Sequence, residues 1–210
     1  MANRGILVVA VFLLCGQSAL SRQYSLEFSG GISKDMRSKT SNRWNMGFVL
    51  AGAALFNTSE ALALGGRIAY HSRGIDGEGW VEDMYAGSSG TYRFKEASGS
   101  QSVIEIMPLA RLALSRSESP LHVSFQGGVG LFMVSESDVQ ITSSFTTTNS
   151  TGEQTVSFSD ASLTGFGLQL ALPLVFSRTV VVYPLYSLYS ADGDLYHFYT
   201  LQIGFTISRR

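Results

Sequence analysis

The sequence predicts an all-β fold, an eight-stranded antiparallel up-and-down barrel that crosses a membrane with its strands. Three observations lead there. After residue 22, apolar residues recur at every second position in runs of about ten, the repeat of strands with two unlike faces. Long and short polar gaps take turns between those runs. The face opposite the apolar one is built of Gly, Ala, Ser and Gln with isolated charges, too small and too weakly charged for a solvated surface.

Composition excludes the competing classes. The 210 residues include 22 Gly and 24 aromatics (2 Trp, 9 Tyr, 13 Phe) but only 4 Pro, and 15% are charged against about 25% in a typical soluble domain. Disorder and collagen are excluded. A net charge of −1 leaves no basic footprint for nucleic acid. No stretch after residue 22 has 18 consecutive apolar residues or a sustained 3.6-residue period, which removes membrane helices and helical bundles.

Residues 1–21 read as a secretory signal peptide, with Arg4, an apolar run from Ile6 to Leu14 and the small-residue pattern Ala19-Leu20-Ser21. That run is too short to span a bilayer as a helix, which needs about 20 residues. Cys15 falls inside the segment. Acylation there is the rival reading, and Leu14 fits its motif poorly. The domain is then 22–210, without cysteine, and neither a metal nor a cofactor is expected.

Eight strands are predicted at 23–33, 43–56, 61–72, 102–115, 121–135, 162–177, 179–190 and 195–208. Long links follow the first, third and fifth, at 34–42, 73–101 and 136–161. Tight ones follow the second, fourth and sixth, at Asn57 to Glu60, Arg116 to Pro120 and Arg178. Short turns inside and longer loops outside mark a bacterial outer-membrane barrel. The last link, Ala191-Asp192-Gly193-Asp194, carries the Asp-Gly hairpin signal.

In the first strand Tyr24, Leu26, Phe28 and Ile32 oppose Ser25, Glu27, Ser29 and Gly31. In the third, Leu62, Leu64, Ile68 and Tyr70 oppose Ala63, Gly65, Arg67, Ala69 and His71. The greasy face is assigned to lipid and the small or polar face to a filled lumen, which eight strands leave just wide enough for side chains. With the N-terminus on the periplasmic side, Tyr24, Phe56, Phe176 and Phe205 fall at the inner rim. Trp44, Tyr70, Phe166, Tyr186 and Tyr199 fall towards the outer rim, so both interfaces gain aromatic girdles. The seventh strand, Val180-Val181-Val182-Tyr183-Pro184-Leu185, is apolar on both faces and leaves its phase open.

With its signal peptide, alternating strands and terminal Tyr199-Thr200-Leu201-Gln202-Ile203-Gly204-Phe205, the chain resembles the small outer-membrane β-barrels, the OmpA transmembrane domain and OmpX-like proteins. The terminal segment looks like the signal read by the barrel-assembly machinery, although this chain runs on to Arg209 and Arg210. The resemblance implies a monomer facing membrane lipid and lipopolysaccharide.

The predicted lumen contains Glu27, Arg67, Glu105 and Arg111 with Gln126, Gln169 and Gln202. Buried charge requires pairing, so an ion-pair and amide network is expected, with Glu27 and Arg111 at comparable heights and Arg67 between Glu27 and Glu105. The network is a plug or, alternatively, the gate of a narrow porin-like channel. Link 136–161 flanks a turn cluster with Thr and β-branched residues, predicting a hairpin beyond the membrane that offers an edge to a surface protein partner. In link 73–101 the aromatics are expected to pack over the barrel mouth, and Asp76-Gly77-Glu78-Gly79 has incomplete calcium-loop spacing. Lys34, Arg37, Lys39 and Arg43 read as contacts to lipid phosphates or as a solvated cluster. His71, His197, Ser72, Ser190, Asp192 and Asp194 near the outer rim have no spacing that defines a catalytic set, so no enzyme is expected. A secreted lipocalin-like binder of an apolar ligand is the alternative from another class; it requires the greasy face to point inward.

Overall fold

The computed structural model describes residues 24–35, 43–115, 119–177, 179–191 and 194–209. The predicted signal segment lies outside them, as does most of the first outer link, including Arg37 and Lys39. In order the elements are β1 (Tyr24–Asp35), β2 (Gly47–Asn57), β3 (Leu62–Gly74), α1 (Gly77–Met84), β4 (Thr91–Ala113), β5 (Leu121–Thr146), β6 (Thr151–Phe158), β7 (Ala161–Ala171), β8 (Leu174–Phe176), β9 (Val180–Ala191) and β10 (Asp194–Arg209).

The strands pair antiparallel, and β10 returns to β1 in a register running from Tyr24↔Arg209 to Asp35↔Phe198. Closure leaves no edge within the ring. Both β7 and β8 pair with β5 and with β9, so the predicted strand 162–177 is one stave interrupted at Leu172-Pro173. Pro173 has no N–H to give the ladder. The ring therefore has eight staves.

Side chains alternate as the period of two requires. Leu64, Phe48 and Ile203 face outward and Ile203 is 61% exposed, while Glu27 and Arg67 are 3% and 5% exposed inside. This orientation gives a membrane-spanning barrel with an apolar exterior and excludes the lipocalin-like arrangement. Part of the lumen is apolar, with Val103, Met107, Phe132, Val134, Tyr189, Tyr196 and Phe198 in one cluster.

Two strands outrun the prediction. A membrane crossing needs about 9–11 strand residues, yet β4 has 23 and β5 has 26. Residues 91–101, expected in a loop, are strand because the extension of β5 supplies their partner, Tyr92↔Phe145 through Gln101↔Glu136. β6 then pairs with β5 from Val139↔Phe158 to Thr146↔Thr151. The result is a three-stranded surface sheet standing on the barrel. Where it leaves the ring the register shifts between Ser98 and Ser100, with Asp138 at φ 50°. This bulge adds a residue to β5, so the buried side passes from Phe132 and Val134 to Val139, Ile141 and Ser143.

Candidate functional site

The lumen is organised in three layers. Towards the end of the barrel where β1 begins, Glu27 on β1 meets Arg111 on β4 through two parallel bonds, Nη1 to Oε1 at 2.6 Å and Nη2 to Oε2 at 2.7 Å. That fork is the strong form of a carboxylate–guanidinium contact. Arg111 Nε donates to Gln126 Oε1 at 3.0 Å, and the Tyr183 hydroxyl donates to Glu27.

In the middle layer Glu105 collects four partners from three strands, β3, β7 and β9. Arg67 Nη1 donates to its Oε2 at 2.8 Å and Gln169 Nε2 at 3.0 Å. His71 Nε2 lies 2.7 Å from its Oε1, and the Tyr189 hydroxyl donates to the same oxygen. Arg67 Nη2 also donates to Gln202 Oε1 at 3.1 Å, an oxygen that receives the Ser29 hydroxyl at 2.7 Å. The layer nearest the surface joins Ser33, His71, Arg73, Gln101 and Glu136. Gln101 Nε2 donates to Glu136 Oε1 at 2.8 Å, and the Arg73 guanidinium lies 3.9 Å from the centre of the Phe198 ring.

The expectation of Arg67 between the two glutamates needs correction. Arg67 serves Glu105 and Gln202, while Glu27 is taken up by Arg111, so two pairs stand at different heights. Ladder register alone would put Arg67 beside Glu27, since Glu27, Ala53, Arg67 and Met107 are successive partners; the tilt of barrel strands instead brings Arg111, four residues along β4 from Met107, across to Glu27 and leaves Arg67 to Glu105. Tyr183, Tyr189 and Arg73 belong to the network and were not assigned to it from sequence. The two tyrosines sit on β9, where apolar residues on both faces conceal the phase. Their signal was chemical, since a buried tyrosine hydroxyl needs a partner.

On the exterior, Phe56, Tyr70, Phe176, Tyr199 and Phe205 are exposed and Tyr24 is half-buried. Phe205 packs on Phe28 with centroids 5.7 Å apart, and Tyr186 lies 5.0 Å from Tyr199. Trp44 is not in the girdle. It is 3% exposed and joins Trp80, Val81, Val139 and Ile141 in a second core above the barrel. The strand was expected from residue 43, but β2 begins at Gly47, and Trp44 makes only an isolated bridge to Ile75. The alternation therefore does not carry Trp44 to the lipid face.

The second core is the cap of the surface sheet. Asp76, part of the run with calcium-like spacing, is the N-cap of α1, its carboxylate accepting from Gly79 N at 3.1 Å. Trp80 and Val81 point into the cap. A Cβ on Gly77 would fall 2.0 Å from the Phe94 ring, so only glycine lets α1 lie this close to β4. Tyr85 stacks on Tyr92 at 3.8 Å. Arg43 pairs with Asp83 and lies 4.5 Å from the Trp80 ring centre, so this cation is held by the cap rather than turned to lipid phosphates.

The two histidines near the outer rim lie on opposite sides of the wall. His71 is inside on Glu105, with its Nδ1 3.2 Å from Ser33 Oγ. His197 is outside, its Nδ1 2.7 Å from the Tyr186 hydroxyl. They do not share a site.

Eight closed staves, an apolar outer face and a lumen of paired charges define a membrane-spanning β-barrel. A scan against protein-family models and a search of curated proteins find no match for the chain. Among solved structures the chain is similar to Ail, the attachment invasion locus protein of Yersinia pestis, with 12% identity, TM-score 0.49, and coverage of 90% of this chain and 100% of that one. It is similar also to Neisserial surface protein A (12% identity, TM-score 0.44, 88% and 96% coverage). The N-terminal barrel domain of Pseudomonas aeruginosa OprF gives 10% identity, TM-score 0.41, and 87% and 97% coverage.

Proposed function

We propose that this protein is an integral outer-membrane barrel of a Gram-negative-type cell, with a lumen that acts as a rigid plug and a surface sheet that makes contacts outside the cell. Its partners in this reading are membrane lipid and lipopolysaccharide around the wall, the barrel-assembly machinery during insertion, and a surface protein at the sheet. It works as a monomer and catalyses no reaction.

One observation carries the reading of the sheet. α1 lies over one face of the sheet, with Trp80 among Val139, Ile141 and Phe158, and at the edge β6 pairs with β5 alone among the described residues. Thr147 N donates to Ser150 O at 2.8 Å, which fixes the alternation of hydrogen-bonded pairs. Thr151, Glu153, Thr155 and Ser157 accordingly turn their backbone groups to the open side. Natural edges are usually guarded by charged side chains, Pro or a bulge, and Thr151–Phe158 has no Pro, an unbroken register and one charge, Glu153, which is paired with Lys95. Such an edge takes an extended segment by strand addition. Deleting 140–157 from a barrel displayed on a non-adherent host is expected to abolish adherence while heat-modifiable gel migration persists. Undiminished adherence would remove the sheet from the function.

The paired layers support the plug rather than the channel. In planar bilayers the wild-type protein is expected to give no discrete conductance steps, and Arg67→Met to leave the trace unchanged. Steps that Arg67→Met alters would instead identify the network as a gate.

A further inference from the structure

We infer that the cleft between α1 and the upper part of β4 receives an extended peptide segment with basic residues at alternate positions, added to β4 as a strand. The site lies across the surface sheet from the edge of β6 and rests on the sheet and the helix alone.

The main chain of β4 is open there. β3 leaves β4 at Gly74↔Ser100, and from Thr91 to Ser98 the strand partner among the described residues is β5 alone. The bond from Thr147 N to Ser150 O fixes which way each residue points. Phe145 gives its backbone groups to β6, so Ser144 and Thr146 turn theirs to β4 and meet Arg93 and Thr91. Tyr92 and Phe94 are left with N–H and C=O directed away from β5, and no backbone group among the described residues bonds to them from that side. The register shift between Phe94 and Glu96 ends this open run, so an added strand has a defined stop.

The helix makes the other wall. It runs back along β4, with Gly77 against the Phe94 ring and Tyr85, at its C-terminal end, stacked on Tyr92. The space beside them measures about 800 Å³ and is bordered by Glu78, Val81, Glu82 and Tyr85 on the helix side and by Tyr92 and Phe94 on the strand side. Strand addition at such an edge draws affinity from main-chain bonds, and the groups beside the edge select the side chains.

The selection is for cations at a set spacing. Of the four acids from Asp76 to Asp83, Asp76 caps the helix and Asp83 is held by Arg43. Glu78 and Glu82 are exposed and pair with no cation among the described residues. They stand one helical turn apart, about 6 Å along the axis. Side chains on one face of an added strand repeat every second residue, about 6.6 Å, so a Lys-x-Lys or Arg-x-Arg segment meets both carboxylates at once. Two carboxylates by themselves would be a solvated face. The unpaired main chain in the same cleft is what calls for a peptide, because Tyr85 and Tyr92 stack on each other and leave carboxylates and backbone as the groups a ligand can bond.

The test is fluorescence anisotropy of the labelled peptide Thr-Lys-Val-Lys-Thr with the full barrel in nanodiscs of phosphatidylcholine, a lipid without net charge. Saturable binding is expected. Glu78→Gln/Glu82→Gln is expected to weaken it at least tenfold, and so is N-methylation of the peptide's main-chain amides, which keeps the charge and removes the donors. Glu60→Gln, a charge lost at the turn between β2 and β3, is expected to leave the affinity unchanged. Heat-modifiable migration of both variants shows that they are folded. A folded wild-type barrel without saturable binding, or binding indifferent to the two glutamines, overturns the site. Equal binding of the N-methylated peptide overturns strand addition, and displacement of the peptide by cellohexaose, an uncharged saccharide, assigns the cleft to carbohydrate instead.

Discussion

Glu105→Ala is expected to destabilise the barrel by about 3–5 kcal/mol, the range for removing one partner of a buried ion pair. The loss is large because Arg67 stays where it is, 5% exposed, and can no longer give its charge to a carboxylate. His71, Gln169 and Tyr189 lose their acceptor in the same step. Reversible urea unfolding in lipid vesicles measures the effect. Glu105→Leu combined with Arg67→Met removes both charges and is expected to recover most of the stability, since an apolar pair of similar volume is often neutral or better than the ion pair. A single variant within about 0.5 kcal/mol of wild type would mean that the pair is bathed in lumen water and is not holding the middle of the barrel.

The second large effect concerns the opposite side of the wall. Ile203→Lys places a charge near the bilayer midplane and is expected to cost about 2–4 kcal/mol in the same unfolding experiment. The effect is expected to shrink towards zero at Ile207, near the end of β10 and the rim of the barrel, where lysine reaches the interface. In a water-soluble barrel Ile203, already 61% exposed, would accept lysine with little change. The two outcomes separate membrane from water without any functional assay.

Much of this architecture was legible in the residues, and the reason is physical. A strand with lipid on one side and a packed lumen on the other must alternate, and Leu62 to His71 does so at every step but Gly65-Gly66. The identity of the lumen charges follows from the same parity. Their partners do not follow, because the choice between Glu27 and Glu105 for Arg67 depends on the tilt of the strands. Trp44 was misplaced for a related reason: alternation places a residue only while the ladder continues, and β2 starts three residues later. The surface sheet was half visible. Thr and β-branched residues announced the hairpin of β5 and β6, but 91–101 carries too many charges and small residues to read as a strand. It becomes one only because β5 is there to pair with it.

The irregularity at Asp138 and Gly99 separates two bodies built from the same strands. One residue of slack lets the upper portion choose its own inside and outside, so its sequence is released from the alternation that the bilayer enforces below. Cutting, lengthening or exchanging that head need not disturb the staves beneath it, provided the slack is kept. Removing Asp138 alone would turn every later side chain of β5 about, bringing Gln140 and Thr142 under Trp80 and sending Ile141 into water.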